Sequence, residues 1–154
     1  MKIREYRIIQ DNELHPQLQL AHEHNWSKTC KTYDEIYEMF KKLFQMHKLA
    51  EEYVYVLALD HSLNPKGVFQ LSHGTSKSSE IRNRELYIFL LLSGADQFVV
   101  AHNHVNGCLD MSADDYNVTS KIGLGSSILD LIFTEHMIVT KNGYTLIKEE
   151  QNAR

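Results

Sequence analysis

The stretch from Ala101 to Asp115, AHNHVNGCLDMSADD, gathers the residue types that bind metals. Two histidines at i and i+2, His102 and His104, can face one point if a strand bends or ends between them. Imidazole nitrogens at about 2.0–2.1 Å suit zinc, and a carboxylate oxygen supplies a third donor at similar range. Asp115, eleven residues after His104, falls in the first turn of an expected helix, from which it can swing back toward the strand end. Three protein donors leave a fourth position open, the mark of a catalytic rather than a structural zinc site. The spacing also fits a plainer reading. His102 and His104 can be loop residues with local hydrogen bonds, and Ser112 to Asp115 a helix capping box. A capping role and a catalytic role are compatible.

These residues need a strand before them and a helix after them. Gln97 to Ala101 reads as a short buried strand with His102 at its exit, and a helix carrying Val118 and Ile122 is expected after Ser112. Upstream, Tyr53 to Leu59 is a β-rich apolar run. It is closed by Asp60 and the turn-forming Asn64-Pro65-Lys66-Gly67, with Val68 to Leu71 as hairpin partner. Tyr33, Ile36, Tyr37, Phe40, Leu43 and Phe44 recur at helical spacing after a Thr32–Glu35 capping box. Another helix is expected from Asn83 through Leu92, ended by Ser93-Gly94. Three apolar segments follow: Ile128 to Phe133, Met137 to Thr140 and Tyr144 to Ile147, the last two joined through Asn142-Gly143. Ile3 to Ile9 reads as a strand, and the polar stretch from Gln10 to Lys31 has little periodicity. Interleaved helices and strands predict an α/β domain, a mixed β-sheet flanked by helices.

A chain of 154 residues suits one domain. The net charge of −4 argues against a generic nucleic-acid or membrane-surface binder. The N-terminal ten residues lack the apolar core of a signal peptide, and no apolar run reaches the length of a membrane span, so a cytoplasmic protein is expected. Cys30 and Cys108 make no disulfide framework. Cys108, inside the ligand loop, reads as a small loop residue, with a soft ligand or oxidation site as the alternative.

The nine histidines divide unequally. His22-Glu23-His24 repeats the His-x-His pattern, but without apolar support it reads as a solvated turn. His136 reads as a satisfied core histidine, His73 as a residue at the cleft edge, and His15, His47 and His61 as surface positions. Trp26 and the eight tyrosines do not alternate with basic residues, so no stacking platform for nucleic acid is visible.

Beyond spacing, the chain resembles the RadC-type branch of the JAMM (MPN+) metalloprotease superfamily. That pattern is an upstream glutamate, then His-x-His, ten residues and Asp, with Ser three residues before the Asp. It falls here on Glu52, His102, His104, Ser112 and Asp115. The strand from Glu52 to Asp60, Gly74-Thr75, Arg84-Glu85 and Glu135-His136 resemble further family features. Together they cover roughly Tyr33 to Lys148. The branch's His-Asn-His-Pro-Ser-Gly reads His102-Asn103-His104-Val105-Asn106-Gly107, and losing the proline predicts a looser ligand loop.

The resemblance implies a single domain of JAMM/MPN type, with a cytidine-deaminase-like α-β-α arrangement, over 32–150. An N-terminal strand and polar arm would precede it at 1–31, and a tail would follow at 151–154. It implies a Zn2+-dependent hydrolase of peptide or isopeptide bonds, with His102, His104 and Asp115 as metal ligands. Glu52 would accept and return a proton, and Ser112 would help hold the oxyanion. Of the adjacent acids, strand alternation lets only one of Glu51 and Glu52 reach the metal, and the family spacing selects Glu52. The alternative is a non-catalytic metal-binding interaction module associated with DNA-repair or mobile-element machinery. Nucleic acid as a partner follows only from the family association. Phosphodiester hydrolysis is disfavoured by the net charge and by the lack of a two-metal carboxylate cluster. No sequence signal sets an oligomeric state.

Overall fold

Strand β3 (Tyr53–Leu59) is apolar at every position because helices cover both its faces. Tyr55, Leu57 and Leu59 pack in a core with Ile36, Met39 and Phe40 of helix α1 (Tyr33–Leu43). Val54, Val56 and Ala58, on the other face, share a core with Leu86, Phe89 and Leu90 of α2 (Asn83–Ser93) and Ile122 of α3 (Ala113–Ile128). A fully buried side chain such as Leu57 contributes about 1.5–3 kcal/mol of hydrophobic stabilisation. The computed structural model describes residues 1–74 and 81–147. Thr75 and the expected tail at 151–154 lie outside them.

Around β3 the described strands form one mixed sheet in the order β2-β1-β4-β3-β5-β6-β7. The outer strands are β1 (Lys2–Gln10), β2 (Pro16–Asn25), β4 (Pro65–His73), β5 (Gln97–Asn103), β6 (Ile132–Thr140) and β7 (Gly143–Ile147). The β1/β4 and β5/β6 pairs are parallel and the other pairs antiparallel. An α-β-α sandwich with a mixed sheet is the expected fold class. Among the described residues, no helix is long and apolar enough to cross a membrane.

Four local expectations need correction. The polar stretch after Gln10 contains β2, so His22 and His24 lie on a strand rather than in a solvated turn. This strand is at the sheet edge and is exposed or half-buried throughout; its apolar alternation is only the short Gln17-Leu18-Gln19-Leu20 run, in which Leu20 is 50% exposed, so pairing to β1 is what chiefly holds it. The turn after β3 is built from Asp60, whose Oδ1 accepts the Ser62 and Asn64 N–H groups at 2.8 Å each. Pro65 is instead the first residue of β4, where a missing N–H costs least. The segments expected at 128–133 and 137–140 are the end of α3 and a single strand β6, which runs straight through Glu135 and His136. At α1, Thr32 caps Glu35 N at 3.2 Å, but the Glu35 carboxylate accepts from Thr29 and Lys31 rather than closing the box.

Candidate metal centre

Register places the site. Val54 of β3 is opposite His102 of β5, and alternate residues of a strand share a face. Glu52, two residues before Val54, therefore lies on the α3 side with His102, and Glu51 on the other. Glu51 is bonded to His73, whose ring stacks on Tyr53 with centroids 4.3 Å apart. A cavity of about 40 Å³ is lined by Glu52, His102, Asp115 and His136, with Val54 and Val118 as apolar wall.

β5 ends at Asn103, which frees His104 from the ladder and lets its ring turn back toward His102. The two Nε2 atoms lie 3.0 Å apart. Asp115 Oδ1 is 3.2 Å from His102 Nε2, and its Oδ2 is 3.5 Å from His104 Nε2. Cys108 Sγ is bonded to Asp110 at 3.2 Å and stands outside this group.

Asp115 is held by the helix start. Ser112 Oγ accepts Asp115 N–H at 3.1 Å, and Asp115 Oδ2 accepts Ser112 N–H at 2.8 Å, a complete capping box on α3. Burial raises the Asp115 pKa, but its bonds to His102 and His104 outweigh this and hold the carboxyl far below the usual range. The same contact to Asp115 raises the His104 pKa against burial, helped by the Cys108 carbonyl and the charge on Glu52. His104 Nδ1 donates to the Cys108 carbonyl at 2.9 Å, which turns Nε2 into the site. Ser112 is exposed.

The ligand loop is tied in place of the missing proline. Gly107 N–H reaches the His104 carbonyl at 3.0 Å, and Asn106 Oδ1 accepts Cys108 N–H at 2.9 Å. Gly107 adopts φ +75°, which suits glycine, and Asn142 of the β6–β7 turn donates to its carbonyl at 3.3 Å. His47 is half-buried rather than on the surface; it lines a groove of about 330 Å³ with His104 and Gly107.

Two contributors escaped the sequence reading. Buried Asn103 accepts Tyr53 N–H at 2.7 Å and donates to the Glu51 carbonyl at 2.9 Å. His136 is buried as expected, which holds its pKa well below the ordinary value. Its Nε2 is bonded to His102 at 2.8 Å and its Nδ1 to Thr119 at 2.7 Å. Asn103 and Tyr53 are 50 residues apart and His136 and His102 are 34 apart, so spacing carries no signal for either contact.

The donor set fits zinc. Donors at about 2.1 Å in a tetrahedron lie roughly 3.4 Å apart; the two histidine Nε2 atoms are 3.0 Å apart, and each faces a different Asp115 oxygen, at 3.2 and 3.5 Å. Among the described residues this is the one group of three or more such side chains whose donor atoms converge, all within 4.8 Å.

A mixed sheet between helices, with His-x-His at a strand end and an acid in the capping box of the next helix, is the layout of a JAB domain. The chain belongs to the RadC-like JAB domain family, whose model matches residues 30–152. A UPF0758 protein of Thermotoga maritima is 32% identical over 117 residues, which is 76% of this chain and 53% of that protein. A UPF0758 protein of Streptococcus equi subsp. zooepidemicus is 30% identical over 73% of this chain and 50% of its own length. The chain thus spans about half the length of these curated relatives.

Proposed function

We propose that this chain is a zinc-dependent hydrolase of amide bonds, acting on a peptide or isopeptide substrate. The observation that carries the reading is the convergence of His102, His104 and Asp115 within 4.8 Å, with Glu52 lining the same cavity as His102 and Asp115. His102 Nε2, His104 Nε2 and the Asp115 carboxylate would hold the ion. Zinc bound there supplies Lewis acidity, lowering the pKa of a coordinated water from 15.7 toward about 7. Glu52 accepts a water proton on a carboxylate oxygen and returns it to the leaving amine nitrogen. The Ser112 oxygen already accepts from Asp115 N–H, so its hydroxyl hydrogen is free to donate to the oxyanion as it develops. Val54 and Val118 form the apolar part of the cavity wall beside Glu52.

The test is zinc content and hydrolysis of a mixed peptide and isopeptide library, for wild type and Glu52→Gln. Near-stoichiometric zinc in both, with cleavage only by wild type, is expected. Full activity in Glu52→Gln overturns the role given to Glu52. A wild type that takes up zinc but cleaves nothing favours a non-catalytic metal-binding module tied to DNA-repair or mobile-element machinery. A wild type that never binds zinc removes the metal from either reading.

A further inference from the structure

Of the three proposed metal ligands, His104 alone also lines the groove of about 330 Å³ beside the ligand loop. Three segments far apart in sequence build that groove. The ligand loop gives residues 105–107, the segment after α1 gives His47 and Lys48, and the β6–β7 turn gives Lys141. Lys141 is held against the loop. Its Cε is 3.8 Å from where a Cβ on Gly107 would stand, and its neighbour Asn142 donates to the Gly107 carbonyl at 3.3 Å. Lys48 ends a one-turn helix, Met46–Lys48, anchored by Met46 in the core on the α1 side of the sheet.

The lining carries two ammonium groups and no carboxylate. Neither Lys48 nor Lys141 has an ion-pair partner among the described residues, whereas Lys2 and Lys42 are each paired with a glutamate at 3.3 and 3.2 Å. Asn106 adds a third donor. Its Oδ1 accepts Cys108 N–H, and its Nδ2 has no partner among the described residues. Donors without acceptors, beside a proposed ligand, suit a group that is anionic and only accepts hydrogen bonds: a carboxylate. In a chain of net charge −4 this groove is a local exception, and a long polyanion such as nucleic acid meets repulsion from the remaining surface.

We propose that this groove is a subsite for a carboxylate of the substrate, and that Lys48 and Lys141 make the hydrolase prefer acidic peptides. The inference rests on the amide-hydrolase reading above and deepens it. The carboxylate belongs either to an aspartate or glutamate side chain near the scissile bond or to a free C-terminus; both present the same two oxygens. The lysines line the groove and not the Glu52 cavity, so they hold the ground state and the transition state alike. Binding of that kind sets KM and leaves kcat unchanged.

The probe is one short labelled peptide in four forms: aspartate-rich or asparagine-rich, each ending in a free acid or an amide. Fluorescence anisotropy gives its affinity for the full chain carrying Glu52→Gln, and turnover by wild type gives KM and kcat. Lys48→Gln and Lys141→Gln should each weaken binding of the acidic forms about 2–5-fold and raise their KM alike, with kcat and zinc content unchanged. Added salt should shrink the difference. Lys66→Gln, at the far end of β3 where Leu59 pairs with Pro65, should change nothing. Weaker binding on amidation identifies the C-terminus as the source, and weaker binding on changing aspartate to asparagine identifies a side chain. The proposal is overturned if the neutral amidated form binds as tightly as the acidic ones, or if both lysine variants bind like their parent. It is also overturned if a single-stranded oligonucleotide shows the lysine dependence and the peptides do not. Cleavage of acidic and neutral peptides with equal KM overturns it and leaves the amide-hydrolase reading standing. Cleavage of none overturns that reading, and the anisotropy series still decides the groove.

Discussion

Asn103 grips the main chain on both sides of Glu52: its Oδ1 accepts Tyr53 N–H at 2.7 Å and its Nδ2 donates to the Glu51 carbonyl at 2.9 Å. The residue between the two histidines thus fixes the backbone that carries the proposed general base. The ligand segment and the Glu52 segment are joined by one amide side chain, so a shift in either is transmitted to the other.

Asn103→Leu should therefore separate metal binding from hydrolysis. Both main-chain partners lose their bonds, at a cost of about 1–3 kcal/mol for a buried group left unsatisfied. Urea denaturation should register that loss while zinc affinity changes little, and kcat should fall because Glu52 is no longer held. Unchanged kcat with the lowered midpoint would reduce Asn103 to a stabilising residue.

Glu52→Gln is nearly isosteric and removes only the proton acceptor. Hydrolysis should fall by about 10²–10⁴-fold while zinc content and melting temperature stay close to wild type. Parallel loss of zinc would instead make Glu52 a ligand.

Ser112 caps α3, and different substitutions can split that observed role from the proposed one at the oxyanion. Ser112→Ala loses the cap at about 1 kcal/mol, whereas Ser112→Gly loses only a few tenths. Both remove the hydroxyl proposed to face the oxyanion, so both should lower kcat alike, by about 10²–10³-fold. A kcat loss that tracks the stability loss would leave Ser112 as a helix cap alone.

Burial, with a smaller contribution from the charge of Glu35, pushes the Cys30 thiol from 9.0 up to about 12. A thiol reagent at pH 8 should therefore modify half-exposed Cys108 and spare Cys30 until the chain unfolds. The sign for stability follows. Below pH 9 both states keep the proton; above it the unfolded thiol ionises first, so stability falls as pH rises toward 12. Cys30→Ala should flatten that fall in urea midpoints measured across this range, and rapid labelling of native Cys30 at pH 8 would contradict the assignment.

The sequence by itself determined what is local in the chain. His102, His104, Ser112 and Asp115 sit within fourteen residues, so a strand end followed by a capped helix suffices to bring them together. Apolar runs marked β3 and β5 for the same reason: burial on two faces leaves a continuous signature. Tertiary structure decided the rest. Strand β2 carries only a two-residue apolar alternation, Leu18 and Leu20, because its hydrogen bonds to β1 more than burial hold it at the edge. The Glu52 side follows from the β3–β5 register, and the His136 contact from the β5–β6 pairing. The Asn103 grip and the Thr119–His136–His102 chain join residues many positions apart through single hydrogen bonds. A bond of that kind constrains two side chains in space and imposes no periodicity on either segment, so only the folded chain reveals it.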